Sequence, residues 1–165
     1  MAIKLRNIVE THRNSFVIRY QLSHGFSDVV IGIVPEDCEL VSIKEVHTVA
    51  AGATATLMVE KLRNTETSTE GNDLLSSSFD LESTASTVVT VDTVDIAKAK
   101  HLVPFVTKFK EGDRVGLDFS GTTTDLRNMV VELEFRSITG QDILSNSASS
   151  SISSSASSSI SSSAS

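Results

Sequence analysis

The sequence predicts an all-β domain, an antiparallel β-sandwich with jelly-roll topology preferred, running into a C-terminal serine-rich stalk or fibre segment. Three observations predict it. Apolar and polar residues alternate with period two in segment after segment, and polar, glycine-bearing connections separate those segments. After Ile138 the alternation gives way to a tail of serine, alanine and isoleucine. At 165 residues and 39% hydrophobic content, the chain is sized for one globular domain with an appendage. The expected division is a docking arm over 1–12, the β-sandwich over 13–140 and the stalk over 141–165.

In chain order, Ile3, Leu5 and Ile8 equip the N-terminal arm with apolar contacts for a neighbouring molecule. Phe16, Ile18, Tyr20 and Leu22 share one parity against Arg19 and Gln21, a strand with one buried face. The apolar run from Val29 to Val34, closed by Pro35, reads as a central strand, and Leu40 to Val46 as another. A small-residue connection, Ala50 to Ala53, precedes a strand in which Ala55, Leu57 and Val59 alternate with Thr56, Met58 and Glu60. Val89 and Val91 alternate with Thr90 and Asp92, and Asp95 to Lys100 is the only stretch with fair helical propensity, long enough for one turn or two. The last two strands are the cleanest: Val115, Leu117 and Phe119, then Met129, Val131, Leu133 and Phe135 against Val130, Glu132, Glu134 and Arg136. Lys110–Asp113 and Gly121–Asp125 connect them to what precedes them and to each other. Eight or nine strands suit a jelly roll, although strand count alone does not separate it from an immunoglobulin-like sandwich.

In the tail, Ala148, Ile152, Ala156, Ile160 and Ala164 recur every four residues with three serines between each pair. On an α-helix four residues advance about 400°, so the apolar stripe drifts about 40° per repeat. In an extended strand four is twice the side-chain period, and every Ala and Ile falls on one face. One strand cannot bury that seam alone, whereas copies around an axis can; a right-handed helical bundle that follows the drift also uses it. Serine-rich composition by itself reads as a flexible linker, but a linker has no need of periodic isoleucines. A homo-oligomeric stalk is therefore expected.

Chemistry is poorly represented. The net charge of −7 supplies no basic surplus for a phosphate backbone, so nucleic acid is not an expected partner. No run of eighteen apolar residues and no secretory apolar region occurs, so neither a membrane span nor a signal peptide is expected. Cys38 is the only cysteine, which excludes an intrachain disulfide and a thiolate cage and reads most simply as a small hydrophobe at a strand edge. His12, His24, His47 and His101 lack metal-ligand spacing and read as surface or turn residues. Glu36, Asp37 and Glu39 lack the ordered oxygens of a calcium loop and read as a solvated loop. No nucleophile elbow or phosphate-binding glycine motif occurs, so neither enzymatic activity nor a cofactor is expected. Glu111-Gly112-Asp113-Arg114 reads as a hairpin turn with glycine at positive φ and its charges in water. Aromatic content of 5% without tryptophan weighs against a sugar-stacking platform.

Two passages carry a resemblance: Gly52 to Leu62 with Gly71 to Ser76 and Phe79 to Leu81, and Phe109 to Gly121 continuing through Leu126 to the strand Met129 to Phe135. Together they resemble a β-sandwich domain of tailed-bacteriophage virion proteins, of the head-decoration or head-fibre-base type. The resemblance covers about Leu40 to Ile138, one of pattern rather than of specific motifs. It implies an oligomeric virion component without an active site, made in the bacterial host cytoplasm and ending in the virion. The expected function is to decorate the capsid or anchor a fibre on it, as a homotrimer matching local threefold positions. Its partners are then the major capsid protein or other virion proteins. A tail-fibre or baseplate adaptor and a host-glycan receptor-binding module are the alternatives.

Overall fold

The computed structural model describes residues 8–12, 15–63, 65–83, 85–92 and 99–138. Among them are eleven strands and no helix: β1 Ile8–His12, β2 Ser15–Leu22, β3 Val29–Ile33, β4 Cys38–Val46, β5 Ala55–Leu62, β6 Asn72–Asp73, β7 Phe79–Asp80, β8 Val89–Asp92, β9 Lys108–Phe109, β10 Arg114–Gly121 and β11 Met129–Ser137. This exceeds the expected eight or nine because β6, β7 and β9 are two-residue strands, too short to show alternation. The stretch with helical propensity lies mostly outside the described residues.

All pairings are antiparallel and fall into two sheets. One runs β1-β2-β11-β4-β8 with β9 also on β4; the other runs β3-β10-β5-β6 with β7 also on β5. From β2 to β5, and again from β9 to β11, each successive strand joins the opposite sheet. A single core draws on both. Phe16, Ile18 and Tyr20 of β2, Leu40 and Ile43 of β4, and Val131, Leu133 and Phe135 of β11 meet Ile31 of β3, Leu57 and Val59 of β5, and Val115 and Leu117 of β10. The Phe135 ring stacks on Phe16 at 4.9 Å and takes Phe109 edge-on at 5.3 Å. The opposite face of the six-stranded sheet is wet, and Glu132 there accepts Arg19 at 2.5 Å from β2 and Lys44 at 3.2 Å from β4. The Arg19 guanidinium, and then Lys44, hold the Glu132 carboxyl below its usual range.

Three strands depart from simple alternation for physical reasons. In β4 the pairing with β11 shifts between Glu134 and Phe135, which leaves Val41 as an extra residue. Leu40 and Ile43 thereby both reach the core despite opposite parity. In β5 the outward-parity residues Glu60 and Leu62 are buried, because Ser68 and Gly71 fold over that face; an ideal Cβ on Gly71 lies 2.6 Å from a Leu62 methyl. β3 ends the described order of its sheet and is not central: Ile31 is buried, but Val30 is 39% and Ile33 66% exposed. An apolar run reads the same whether one face or both are covered.

The Glu111–Arg114 segment is not a hairpin. It carries the chain from β9 in one sheet to β10 in the other. Gly112 does take φ +86°, and Asp113 N–H donates to Lys110 O at 3.0 Å. The charges, however, do not all stay in water, since Asp113 accepts the nearly buried Lys61 ammonium at 3.1 Å. Lys61 also donates to Lys108 O and lies 5.0 Å above the Phe109 ring. One cation from β5 thus ties β9 to β10 at the end of the core.

Gly112 and Gly121 have nearly equal φ, +86° and +85°, but different surroundings. A Cβ on Gly112 meets nothing within 4 Å, whereas on Gly121 it lies 2.1 Å from Thr54 O. Gly112→Ala is expected to cost about 1–2 kcal/mol for the left-handed backbone alone. Gly121→Ala should cost clearly more, because β10 must part from β5 to admit the methyl. Urea unfolding of the two single variants checks this, and equal losses would contradict the packing of Gly121 on Thr54.

Candidate functional site

Four connections meet at one end of the two sheets: 23–28 after β2, 47–54 after β4, 81–88 after β7 and 122–128 after β10. Each is polar or glycine-bearing, and their backbones satisfy one another. Asn128 N–H donates to Ser23 O at 3.1 Å, and Thr48 N–H to Arg127 O at 3.1 Å. Arg127 N–H donates to Val49 O at 3.2 Å, Ala51 N–H to Leu81 O at 2.9 Å, and Ser86 N–H to His47 O at 2.6 Å. The result is a knitted end face.

An open cleft of about 450 Å³ lies on this face, lined by His24, Gly25, Phe26, Thr123, Thr124 and Arg127. The 23–28 turn and the 122–128 turn form its walls, joined by Thr123 Oγ1 donating to Phe26 O at 3.3 Å. Gly25 takes φ +75°, and Phe26 turns inward against Phe119, ring centroids 5.7 Å apart. The Arg127 guanidinium is folded back over its own turn, with Nη1 donating to Thr124 O at 2.5 Å and to Leu126 O at 2.7 Å.

Beside the cleft, and inside the domain, lies a buried acid–imidazole pair. Glu45 and His47 occupy the core-facing parity at the end of β4 and are 1% and 0% exposed. This corrects the reading of His47 as a surface or turn residue: lone histidines lack a periodic signature, and the alternation Ile43, Glu45, His47 carried it inward. His47 Nε2 faces Ser83 O at 3.1 Å and Nδ1 faces Glu45 Oε1 at 2.8 Å. A carbonyl only accepts, so Nε2 carries a hydrogen. The contact between Nδ1 and Oε1 then holds a second proton, shared by a pair without net charge. Glu45 Oε2 has no hydrogen-bond partner among the described residues. Burial pushes the Glu45 carboxyl above its ordinary 4.5, against the opposing pull of His47 and Lys100. Through Ser83 and Ser86, the latter at φ 60°, the pair holds the 81–88 connection onto the end of β4.

Other charged groups are spent structurally. Asp37 accepts Lys110 Nζ at 2.7 Å and Glu111 N–H at 3.0 Å, and Glu39 accepts Arg136 at 2.7 Å. Burial raises the Cys38 thiol to about 12, and the side chain is fully enclosed. On the outer face of the smaller sheet, burial and then neighbouring carboxylates push Glu60 and Asp118 upward, with Asp28 and Asp73 nearby. Among the described residues no group of three or more His, Cys, Asp or Glu is placed to hold a metal ion.

Of the residues singled out from the sequence, Ile3, Leu5, Ala148, Ile152, Ala156, Ile160 and Ala164 lie outside the described residues. Ile8 opens β1, whose backbone pairs with β2, Ile8 opposite Arg19. Of the cleft residues, His24 is the exposed turn histidine that the sequence suggests, whereas Phe26 and Arg127 carry no sequence signal. Gly121–Asp125 was recognisable as a connection, but nothing local marks its convergence with residues 23–28. No family model matches this chain, and no curated protein matches it significantly.

Glu45 has a folded-state pKa above its unfolded value, so the folded state binds more protons in between. The stability it contributes is present below the unfolded value and lost as pH rises through the folded one. His47→Leu strands a buried carboxylate and is expected to cost about 3 kcal/mol near neutral pH, part of it regained near pH 4 as the carboxyl protonates. Glu45→Gln, which can donate to Nδ1, should stay within about 1 kcal/mol. Thermal melts at both pH values check this; a pH-independent His47→Leu loss would contradict the assignment.

Proposed function

We propose that the chain is a non-enzymatic structural protein of a tailed-bacteriophage virion, a jelly-roll β-sandwich that decorates the capsid or seats a fibre on it as a homotrimer. The strand order supports the jelly roll. With β1 set aside as an additional edge, one sheet runs β2-β11-β4-β8 and the other β3-β10-β5-β6. This is the order in which two nested Greek keys interleave.

The observation that carries the assembly reading is the repeat of Ala148, Ile152, Ala156, Ile160 and Ala164, which follows an all-β domain and keeps one face throughout an extended strand. The domain suits a shaft at that position. β11 runs away from the loop face, and at its far end Ile138 N–H donates to Asp37 O at 3.0 Å, so the chain departs from the end opposite the cleft. Copies brought together by the seam hold their domains side by side, and the apolar arm residues Ile3, Leu5 and Ile8 add contacts to a virion neighbour. A tail-fibre or baseplate adaptor uses the same parts and differs only in location.

Sedimentation or native mass measurement on the full chain tests the reading. The expected result is a trimer that falls to monomer when Ile152→Ser and Ile160→Ser are combined, with the β domain's melting temperature preserved. A monomeric full chain at high micromolar concentration sinks the oligomeric stalk.

A further inference from the structure

We infer that the cleft between the 23–28 and 122–128 connections is a binding site for a carboxylate-bearing sugar, with Arg127 as the carboxylate clamp. This does not rest on the assembly reading and uses none of the tail.

Arg127 is the reason. Its backbone is fixed on both sides by Thr48 and Val49, and its side chain by the carbonyls of Thr124 and Leu126. Both Nη1 hydrogens go to those carbonyls, and its remaining donors meet no partner among the described residues. A guanidinium has five donors in a rigid fork, so a locked Nη1 leaves the Nε–Nη2 edge, the edge that pairs side-on with a carboxylate. In a chain with 21 acidic residues, this preorganised cation has no carboxylate counter-ion among the described residues. The acidic residues flanking the two turns, Asp28 and Asp125, form no ion pair with it. Asp28 accepts Phe119 N–H at 2.8 Å, and Asp125 packs against Gly52, where an ideal Cβ would lie 2.9 Å from its Oδ2. Neither lines the cleft.

The rest of the lining selects the ligand class. Thr124 and His24 present hydroxyl and ring-nitrogen groups that both donate and accept, and Thr123 Oγ1, its hydrogen given to Phe26 O, accepts, as sugar hydroxyls require. The volume of about 450 Å³ falls within the range of small-molecule sites and is far more than a bare inorganic anion fills. The scarcity of aromatic residues argues against recognition by stacking, but recognition here runs through charge and hydroxyls, on which that argument has no bearing.

The test is calorimetric or NMR titration of the full chain with sialyllactose, lactose and inorganic phosphate, at low and at physiological salt. Saturable binding of sialyllactose is expected, with lactose and phosphate each weaker by about tenfold or more. Arg127→Gln should weaken sialyllactose by about tenfold. Because that change also frees the turn, Thr124→Val and His24→Ala are the companion variants; both side chains are exposed. They should weaken binding several-fold with unchanged melting temperature. Phosphate binding as tightly as sialyllactose would reduce the site to an ion trap and overturn the proposal. So would equal affinity for lactose, absence of saturation, or binding indifferent to all three variants.

Discussion

The structure depends on the insertion of β11 between β2 and β4. Its outward residues pair with charges from both neighbours, Glu132 with Arg19 and Lys44, while Phe135 on the inner face stacks on Phe16 from a strand more than a hundred residues earlier. Until β11 arrives, β2 and β4 each lack the ladder that joins them and the core lacks Val131, Leu133 and Phe135. Most stabilising contacts are therefore non-local, and loop closure has to precede them, a topology that folds slowly and all at once. Placing the last described strand at the centre of a sheet also anchors whatever follows it to the middle of the domain.

Two sheets that share strands alternately leave the core open at both ends, where connections cross and backbone polar groups cluster. Each end carries a buried polar contact. At one, the Lys61 ammonium meets Asp113, the Lys108 carbonyl and the Phe109 face. At the other, His47 bridges Glu45 and Ser83. Such contacts add little net stability, because desolvation offsets much of the attraction, but removing one partner exposes the full cost of the other. Their consequence is geometric: they fix which connection lies over which strand end.

How much of this was legible follows from the range of each interaction. β2, β5, β10 and β11 could be read from alternation, since one buried face writes itself into a single strand. The bulge at Val41, the cover of Ser68 and Gly71 over Glu60 and Leu62, and the edge position of β3 could not, because each is set by contacts outside the strand itself. Gly112 was legible as a positive-φ turn, yet its role as a crossing between sheets depends on β9 pairing with β4. The cleft was the least legible feature. Arg127 on a polar connection resembles any solvated arginine until the Thr124 and Leu126 carbonyls are seen to hold it.

The two ends of the domain are thereby built differently. At the end where β11 stops, Ile138 is tied to Asp37, and Ser137 and Arg136 reach Glu36 and Glu39, so the outgoing chain is fastened across the β3–β4 connection. A load on that chain is shared between the central strand and its neighbour. The opposite face is held by backbone bonds among four connections, with Glu45 and His47 beneath. Side chains there can be varied without disturbing a ladder, and Arg127 is held through carbonyls that any neighbouring residue supplies. A domain fastened at one end and adaptable at the other matches the two proposals, a stalk beyond β11 and a ligand held by the loops, without depending on either.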